Sequence, residues 1–201
     1  MPATSKHTGG VEFHPLTPER WKDFEQLFGP RGACAGCWCM WWRLTRPDWT
    51  HGQGDGNRKA MRKLVGSGPT PGILAYADGA PAGWCAIAPR EQYPTLARSR
   101  IFAPVDDKPV WSITCFYVAR GHRRSGMTAR LVDAALAHAR ASGAKIVEAY
   151  PVEPKKAVVP GLFAYTGFVS TFLAAGFKEV ARRSETRPIL RKGLGRSRKA
   201  G

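Results

Sequence analysis

The junction between a strongly apolar segment and an amphipathic segment most constrains the fold of this chain. Residues Val110–Val118 are apolar and rich in β-branched and aromatic side chains, which predicts a central β-strand. Residues Ser125–Ser142 place apolar side chains at helical spacing and precede Gly143, which predicts a helix that ends there. A strand that leads through a short loop into a helix is typical of layered α/β domains.

The loop between these two segments, residues 119–126, has the chemistry of an anion site. The first turn of a helix leaves backbone N–H groups unpaired, and the helix dipole favours negative charge there. Gly126 lets an anion approach the backbone, and Arg123 and Arg124 carry charge that suits a diphosphate. Taken alone, the residues equally permit an ordinary strand-to-helix turn with solvated arginines.

The other segments predict a single α/β domain. Asp78-Gly79 between two apolar runs indicates a β-hairpin, and Lys178–Arg191 predicts one or two closing strands. We expect residues 1–10 to be a disordered tail, residues 11–192 the domain, and residues 193–201 a basic tail. The remaining predictions are strands at Val11–Leu16, Gly72–Ala77, Ala82–Ala88 and Lys145–Val152, and helices at Pro18–Phe28, Asn57–Leu64 and Leu162–Ala175.

Composition narrows the class of protein. No run approaches the roughly 18 apolar residues of a membrane span, and the N-terminus lacks a signal peptide, so we predict a cytoplasmic protein. The formal net charge of +16 favours anionic partners, among them CoA, acidic metabolites and nucleic acid. No RNA-recognition pattern or helix-turn-helix signature is present, so nucleic acid is expected to bind at most non-specifically.

Residues 34–43 combine three cysteines with three tryptophans. The spacing of Cys34, Cys37 and Cys39 suits part of a thiolate metal site, which takes four ligands. No second cysteine pair or histidine pair completes such a site, so we predict no metal. The odd total of five cysteines favours reduced thiols over a disulfide framework.

The junction resembles motif A of the GNAT superfamily of acyl-CoA-dependent acyltransferases, Arg/Gln-x-x-Gly-x-Gly/Ala after a strand that ends in Val. The matching residues are Val118, then Arg123-x-x-Gly126-x-Thr128, and then Leu131-Val132. The run Phe172-Leu-Ala-Ala-Gly-Phe177 resembles the family's closing Tyr-x-x-x-Gly-Phe. The resemblance implies the GNAT fold, an α/β architecture with a mixed central sheet of six to seven strands and helices on both faces.

The resemblance also implies acetyl-CoA as cosubstrate and assigns its binding residues. In the family the pantetheine arm pairs with the strand before the loop, and loop amides cradle the pyrophosphate. An N–H directed at the thioester oxygen would stabilise the developing oxyanion. The region after the first helix forms part of the acceptor pocket, where the three tryptophans would supply an aromatic wall or, alternatively, a hydrophobic plug over the sheet. The implied residues are Phe116, Tyr117 and Val118 for pantetheine, Arg123, Arg124, Ser125, Gly126, Met127 and Thr128 for pyrophosphate, and Trp38, Trp41 and Trp42 for the acceptor.

The catalytic acid and base are less clearly encoded. Phe172 occupies the position where many family members carry a tyrosine proposed to protonate the leaving thiolate. Tyr165 is the candidate replacement, although a packed helix aromatic is the simpler interpretation of it. Glu148 is the candidate base for the acceptor ammonium, directly or through water, and is equally an exposed strand carboxylate. The segment Trp111–Cys115, where the family often places a base, has no carboxylate.

These observations predict an N-acetyltransferase that transfers the acetyl group of acetyl-CoA to an amine of a small molecule or peptide by direct attack. Two alternatives remain: a CoA-binding sensor or interaction module of the same fold without catalysis, and a basic protein associated with nucleic acid. A homodimer is left open, and no membrane partner is expected.

Overall fold

A computed structural model describes residues 10–154 and 164–195. Their seven strands form one mixed sheet in the order β1-β2-β3-β4-β5-β7-β6, which confirms the predicted fold class. Strands β4 and β5 are parallel, and the other neighbours are antiparallel. The strands are β1 Val11–Pro15, β2 Gly72–Ala77, β3 Ala80–Pro89, β4 Trp111–Val118, β5 Ile146–Ala149, β6 Lys178–Arg182 and β7 Pro188–Gly193.

Helices cover both faces of this sheet. Alternate residues of β3 enter different apolar clusters, because successive strand side chains point to opposite faces. Cys85 and Ile87 pack with α5 on one face, and Trp84 and Ala86 pack with α1 and α3 on the other. The α-helices are α1 Trp21–Phe28, α2 Arg46–His51, α3 Asp55–Gly66, α4 Pro94–Arg98, α5 Met127–Ala141 and α6 Val169–Ala174.

One predicted helix is much shorter than expected. Of the segment Leu162–Ala175, residues 162 and 163 lie outside the described residues, and the described part is helical over Val169–Ala174. Residues 164–167 form a turn closed by the Gly167 N–H donating to the Ala164 carbonyl at 2.9 Å. Gly167 has φ +79°, and a Cβ there would lie 2.9 Å from the Phe172 ring. The positive φ ends any helix at this position, so the prediction over residues 164–168 is wrong.

Two short helices were not predicted, α2 and α4. Both contain proline in their first turn, where the missing N–H costs no hydrogen bond. The predicted tails fall mostly outside the described residues, which begin at Gly10 and end at Gly195. No helix in the described part of the chain is long and apolar enough to cross a membrane.

A β-bulge interrupts the side-chain alternation of β4. Ala86 of β3 faces Cys115, but the next residue, Ile87, faces Ile113, so Thr114 is the extra residue. As a result Ile113 and Phe116, which are three positions apart, both enter the cluster on the α5 face. The Cys115 and Tyr117 side chains point to the opposite face, which carries α1 and α3.

The imidazole of His138 on α5 makes stability sensitive to acid. Its ring packs edge-on against Trp111 at 5.7 Å, and burial lowers the pKa of His138. Below about pH 6.5 the unfolded chain therefore binds this proton more readily than the folded chain, and the free energy of unfolding decreases. Urea unfolding at pH 5.5 and 7.5 checks this. We expect His138→Gln to reduce the difference between the two pH values, and an unchanged difference would contradict the assignment.

Candidate active site

Strands β4 and β5 separate part-way along their length, and this opening forms the centre of the site. Their parallel pairing covers Trp111–Ile113 of β4 in the described part of the chain, so residues 114–118 extend beyond it. The segment 164–168 lies at this opening. The Phe116 N–H donates to the Tyr165 carbonyl at 2.6 Å, and the Val152 N–H donates to the Gly167 carbonyl at 2.9 Å. Past the last β5 pair, this backbone edge of β4 receives one main-chain hydrogen-bond acceptor from the described residues, the Tyr165 carbonyl of the turn.

The end of β4 leads directly into a concave loop at the N-terminus of α5. Arg124 and Gly126 both have positive φ, +62° and +78°, with Ser125 between them. Such alternation turns successive backbone N–H groups toward one side and forms an anion-binding concavity. The Ser125 hydroxyl donates to the His122 carbonyl at 2.7 Å, and the Arg123 Nε donates to the Val118 carbonyl at 3.0 Å. Both bonds hold the loop in shape.

Gly126 is the residue that keeps this concavity open. A Cβ at this position would meet no heavy atom within 4 Å, so the space beside it is free for a ligand. Its left-handed conformation also favours glycine over any residue with a side chain. Arg124 is exposed beside it, whereas the Met127 side chain is buried and leaves only its backbone N–H available. Residues 124–128 thus have the backbone geometry to hold a diphosphate at the helix terminus.

Comparison with known proteins decides the family. The family model described as the acetyltransferase (GNAT) family matches residues 38–167, well over half of the chain. The chain belongs to the GNAT acetyltransferase family. This match confirms the resemblance drawn from motif A. A comparison with curated proteins gives no match.

Solved structures of GNAT proteins share the fold. A GNAT-family acetyltransferase from Listeria monocytogenes has a TM-score of 0.57 at 12% identity and covers 92% of this chain and 98% of its own. Arylalkylamine N-acetyltransferase 2 from Aedes aegypti has a TM-score of 0.57 at 12% identity and covers 92% of this chain and 99% of its own. The PaiA N-acetyltransferase from Thermoplasma acidophilum was solved in complex with coenzyme A. Its TM-score is 0.52 at 11% identity, and it covers 92% of this chain and 99% of its own. At these identities the likeness extends to the fold alone.

Phe172, at the position of the family's tyrosine, is a core residue in this GNAT protein. Its ring is 0% exposed and packs on Phe116 and Phe177, with centroids 6.0 and 5.1 Å away. A phenyl ring supplies no proton, so any acid must come from another side chain.

Tyr165 lies next to the opening through both its backbone and its side chain. Its carbonyl accepts the Phe116 N–H, and its ring packs against the aromatic cluster of Trp42, Tyr93 and Phe102. Burial, with a smaller contribution from the neighbouring Cys115, raises the pKa of the Tyr165 phenol to about 12. The phenol therefore stays protonated throughout the physiological range, as a proton donor requires.

Glu148 lies at the centre of a buried network rather than on an exposed strand surface. Its carboxylate is 1% exposed and forms ion pairs with Arg90 at 3.1 Å and Arg191 at 2.7 Å. The Tyr150 hydroxyl donates to the same carboxylate at 2.7 Å and lies 2.9 Å from the Ser112 hydroxyl. A chain of hydroxyl groups thus connects Glu148 to Ser112 of β4, two residues before the bulge residue Thr114.

The three tryptophans predicted to line the acceptor pocket occupy different environments. Trp38 is 4% exposed and stacks on Phe28 in the core, which matches the hydrophobic-plug alternative. Trp42 is also buried and packs edge-on against Phe102. Trp41 is partly exposed, with the Arg46 guanidinium 4.7 Å above its ring. Of the three, Trp41 alone presents a ring toward solvent, and the assignment of the others to a substrate wall stays a prediction.

Two of the cysteines approach each other on the α1 face. The Trp84 indole N–H donates to the Cys39 sulfur at 3.1 Å, and the Cys115 thiol is near enough to influence the pKa of Cys39. The Cys115 thiol contributes most to lowering the pKa of Cys39, with Trp84 and Arg43 acting in the same direction against burial. Among the described residues, no group of three or more His, Cys, Asp or Glu side chains is placed to hold a metal ion.

Sequence reasoning missed the partners that come from distant segments. Tyr150 shares a strand face with Glu148 by alternation, so it could have been found. Arg90, Ser112 and Arg187 had no local signal, because each reaches the site through tertiary packing. The Arg187 guanidinium donates to the buried Thr166 hydroxyl at 3.0 Å, and burial lowers the pKa of Arg187.

Proposed function

We propose that this GNAT protein is an N-acetyltransferase that transfers the acetyl group of acetyl-CoA to an amine of a small molecule or peptide by direct attack. The observation that carries this proposal is the continuity of two features. The part of β4 that extends beyond its pairing with β5 runs directly into the anion concavity of residues 124–128. A ligand with an amide-containing arm and a diphosphate fits both features at once.

The residues that would hold the cosubstrate are those predicted from the sequence. The backbones of Phe116, Tyr117 and Val118 would pair with the pantetheine amides, and the amides of residues 124–128 would bind the pyrophosphate. The structure supports this with the φ values at Arg124 and Gly126 and with the open space beside Gly126. Arg124 adds positive charge at the surface, and Thr128 retains the N–H that glycine or alanine supplies elsewhere in the family.

Backbone polarity would provide the main electrostatic contribution to catalysis. The Phe116 N–H faces the opening and is the donor we assign to the thioester oxygen. A preorganised N–H at a developing oxyanion contributes about 10²–10³-fold in rate in comparable sites. The Tyr165 carbonyl must release this N–H first, because the two contacts use the same hydrogen atom.

Proton transfer would use two groups. Tyr165 is the proposed acid for the leaving thiolate, since it is protonated and borders the opening. Glu148 is the proposed base, and it would act through the hydroxyl groups of Tyr150 and Ser112 because its own carboxylate is buried. The acceptor would approach from the α1 face, toward which Cys115 and Tyr117 point.

Release of free CoA thiol tests the proposal. Purified protein with acetyl-CoA is screened against amino acids, polyamines, aminoglycosides and short peptides. We expect thiol release that depends on one class of amine, and an acetyl-CoA-dependent rise in melting temperature without any amine. A rise in melting temperature without release for every amine would favour the sensor alternative, and no rise at millimolar acetyl-CoA would contradict cosubstrate binding. Nucleic-acid binding with base preference at high salt would favour the third alternative.

The raised pKa of Tyr165 predicts the alkaline side of the pH profile. With a pKa of about 12, roughly 1% of the phenol is ionised at pH 10, whereas about half of an ordinary tyrosine is. We therefore expect kcat at saturating acceptor to stay level up to about pH 10.5. Stopped-assay kinetics of wild type and Tyr165→Phe check this. A wild-type decline near pH 10 that is absent from Tyr165→Phe would contradict the raised pKa but support Tyr165 as the acid. Equal kcat for wild type and Tyr165→Phe across the pH range would contradict the assignment of Tyr165 as the acid.

A further inference from the structure

Arg187 places a positive charge on the acceptor side of the opening. Arg187 directly precedes β7. The alternate β7 residues Ile189 and Arg191 point to the face opposite α5. On that face Ile189 joins the cluster of Tyr93 and Phe102, and Arg191 binds Glu148. By the same alternation Arg187 belongs to this face. Leu190, between them, packs with the α5 cluster on the other side.

Two hydrogen bonds connect Arg187 to the reacting end of the site. Its guanidinium donates to the Thr166 hydroxyl at 3.0 Å, and Thr166 is 0% exposed. The preceding residue, Tyr165, accepts the Phe116 N–H that we assign to the thioester oxygen. Arg187 is itself half-buried, and the proximity of the Tyr165 phenol opposes the effect of burial on its pKa.

No side-chain carboxylate balances the charge of Arg187 in the described part of the chain. Three arginines of the neighbouring strands and loops pair with carboxylates: Arg90 and Arg191 share Glu148, and Arg182 binds Glu179. The exposed Arg183 of the same hairpin donates to main-chain carbonyls instead. No carboxylate of the described residues forms an ion pair with Arg187, and its pKa shift has no carboxylate among its causes. The residues outside the described ranges contain no Asp or Glu at all, so none of them provides a side-chain carboxylate either.

A half-buried guanidinium without a counter-ion indicates an anionic ligand. Partial removal from water is costly for a charge unless an opposite charge compensates, and the planar guanidinium matches a carboxylate with two parallel hydrogen bonds. The Thr166 hydroxyl fixes the guanidinium from one side, and among the described residues no other group accepts a hydrogen bond from it, so its remaining N–H groups can bind that partner.

We propose that Arg187 binds a carboxylate of the acceptor, so that the substrate is an amine that also carries an acid group, of the amino-acid class. The inference rests on the proposed acetyl transfer. It assigns Arg187 as a specificity-determining residue that holds the acid group while the amine faces the thioester.

The test compares each amino acid with the amine left by its decarboxylation, for example tyrosine with tyramine. We expect wild type to prefer the acid by about 10–100-fold in kcat/KM, in line with hydrogen bonds between charged groups. Arg187→Met should remove this preference by raising KM for the acid, and should change kcat/KM for the matched amine much less. Arg187→Gln, which can still bond to Thr166, should give the same loss and covers the case in which the methionine variant fails to fold.

Controls separate this inference from the proposed function. Arg183→Met removes an exposed arginine of the same hairpin, one that donates to the Ala103 and Pro104 carbonyls, and should keep the preference. The rise in melting temperature with acetyl-CoA should be equal in wild type and Arg187→Met, and a further rise on adding the acid with CoA should appear in wild type alone. Equal kcat/KM for acid and amine in wild type, or a preference that survives both Arg187 variants, would overturn the inference while acetyl-CoA binding stands.

A carboxylate could also come from the acyl group, and one arm of the experiment distinguishes this source. Wild type and Arg187→Met are compared with succinyl-CoA and acetyl-CoA, using the decarboxylated amine as acceptor. We expect kcat/KM with succinyl-CoA to be equal to kcat/KM with acetyl-CoA in both proteins. A wild-type preference for succinyl-CoA that Arg187→Met loses would overturn the assignment to the acceptor.

Discussion

Gly126→Glu should abolish acetyl-CoA binding, with the fold kept intact. At a concentration 100 times Kd, a ligand stabilises the folded state by about 2.7 kcal/mol, which for a chain of this size raises the melting temperature by roughly 5–10 °C. The variant should show no rise, because its carboxylate projects into the concavity where N–H groups and the helix dipole favour an anion. Its kcat/KM for acetyl-CoA should fall by at least about 100-fold. Differential scanning fluorimetry and steady-state kinetics measure both effects.

Gly143→Glu is the matched control for this change. Gly143 follows the C-terminal end of α5 and has φ +84°. A Cβ at this position would also meet no heavy atom within 4 Å. It therefore experiences the same backbone strain and the same change of charge without any anion site. We expect it to lower the melting temperature of the free protein but to keep the full rise with acetyl-CoA. If both variants lost the rise equally, strain in α5 would explain the effect and the anion site would not.

Glu148→Ala should be among the most destabilising substitutions in the chain. It removes the carboxylate shared by Arg90 and Arg191, whose side chains are 14% and 11% exposed. Arg191 keeps its second carboxylate, Asp106, whereas Arg90 has no other carboxylate partner among the described residues. Removing one partner of a buried ion pair leaves charge uncompensated and costs about 3–5 kcal/mol. For a chain of about 200 residues this corresponds to a decrease of roughly 6–20 °C in melting temperature. Urea unfolding and calorimetry measure the loss.

Glu179→Ala is the comparison for Glu148→Ala, because Glu179 also pairs with an arginine, Arg182, but on the protein surface. An exposed ion pair contributes about 0–1 kcal/mol, so this variant should unfold close to wild type. A small effect at both positions would show that the network around Glu148 does not stabilise the fold. Glu148→Gln keeps the shape of the side chain, so a loss of kcat in a folded Glu148→Gln protein would support the proposed role of the carboxylate as base.

The parts of the site that the sequence predicts are those formed by neighbouring residues. The anion concavity needs only a strand, a short loop with Gly126, and the start of a helix, and all of these lie within about twenty residues. Its geometry then follows from the conformational freedom of glycine and from unpaired N–H groups at the helix terminus. The hairpin at Asp78-Gly79 is predicted for the same reason.

The parts that could not be predicted depend on contacts between distant segments or on a single irregular residue. Nothing local marks Thr114 as the extra residue of a bulge, yet it decides which β4 side chains face α1. Glu148 appears as a lone carboxylate in the sequence, and its two arginine partners lie about 40 and 60 positions away. The helix predicted at Leu162–Ala175 is present over Val169–Ala174 but not over residues 164–168, because helix-forming residues near Ala164 cannot compensate for the positive φ of Gly167.

If the Phe116 N–H orients the thioester as proposed, its hydrogen bond to the Tyr165 carbonyl links the affinity for acetyl-CoA to a conformational equilibrium. Molecules that hold this bond are not competent to orient the thioester, so the apparent Kd exceeds the intrinsic Kd by the inverse of the competent fraction. On the proposed mechanism, the stability of the turn at residues 164–167 therefore contributes to the acetyl-CoA concentration that is needed for half-saturation. Affinity can thus be tuned during evolution by substitutions that never touch the cosubstrate.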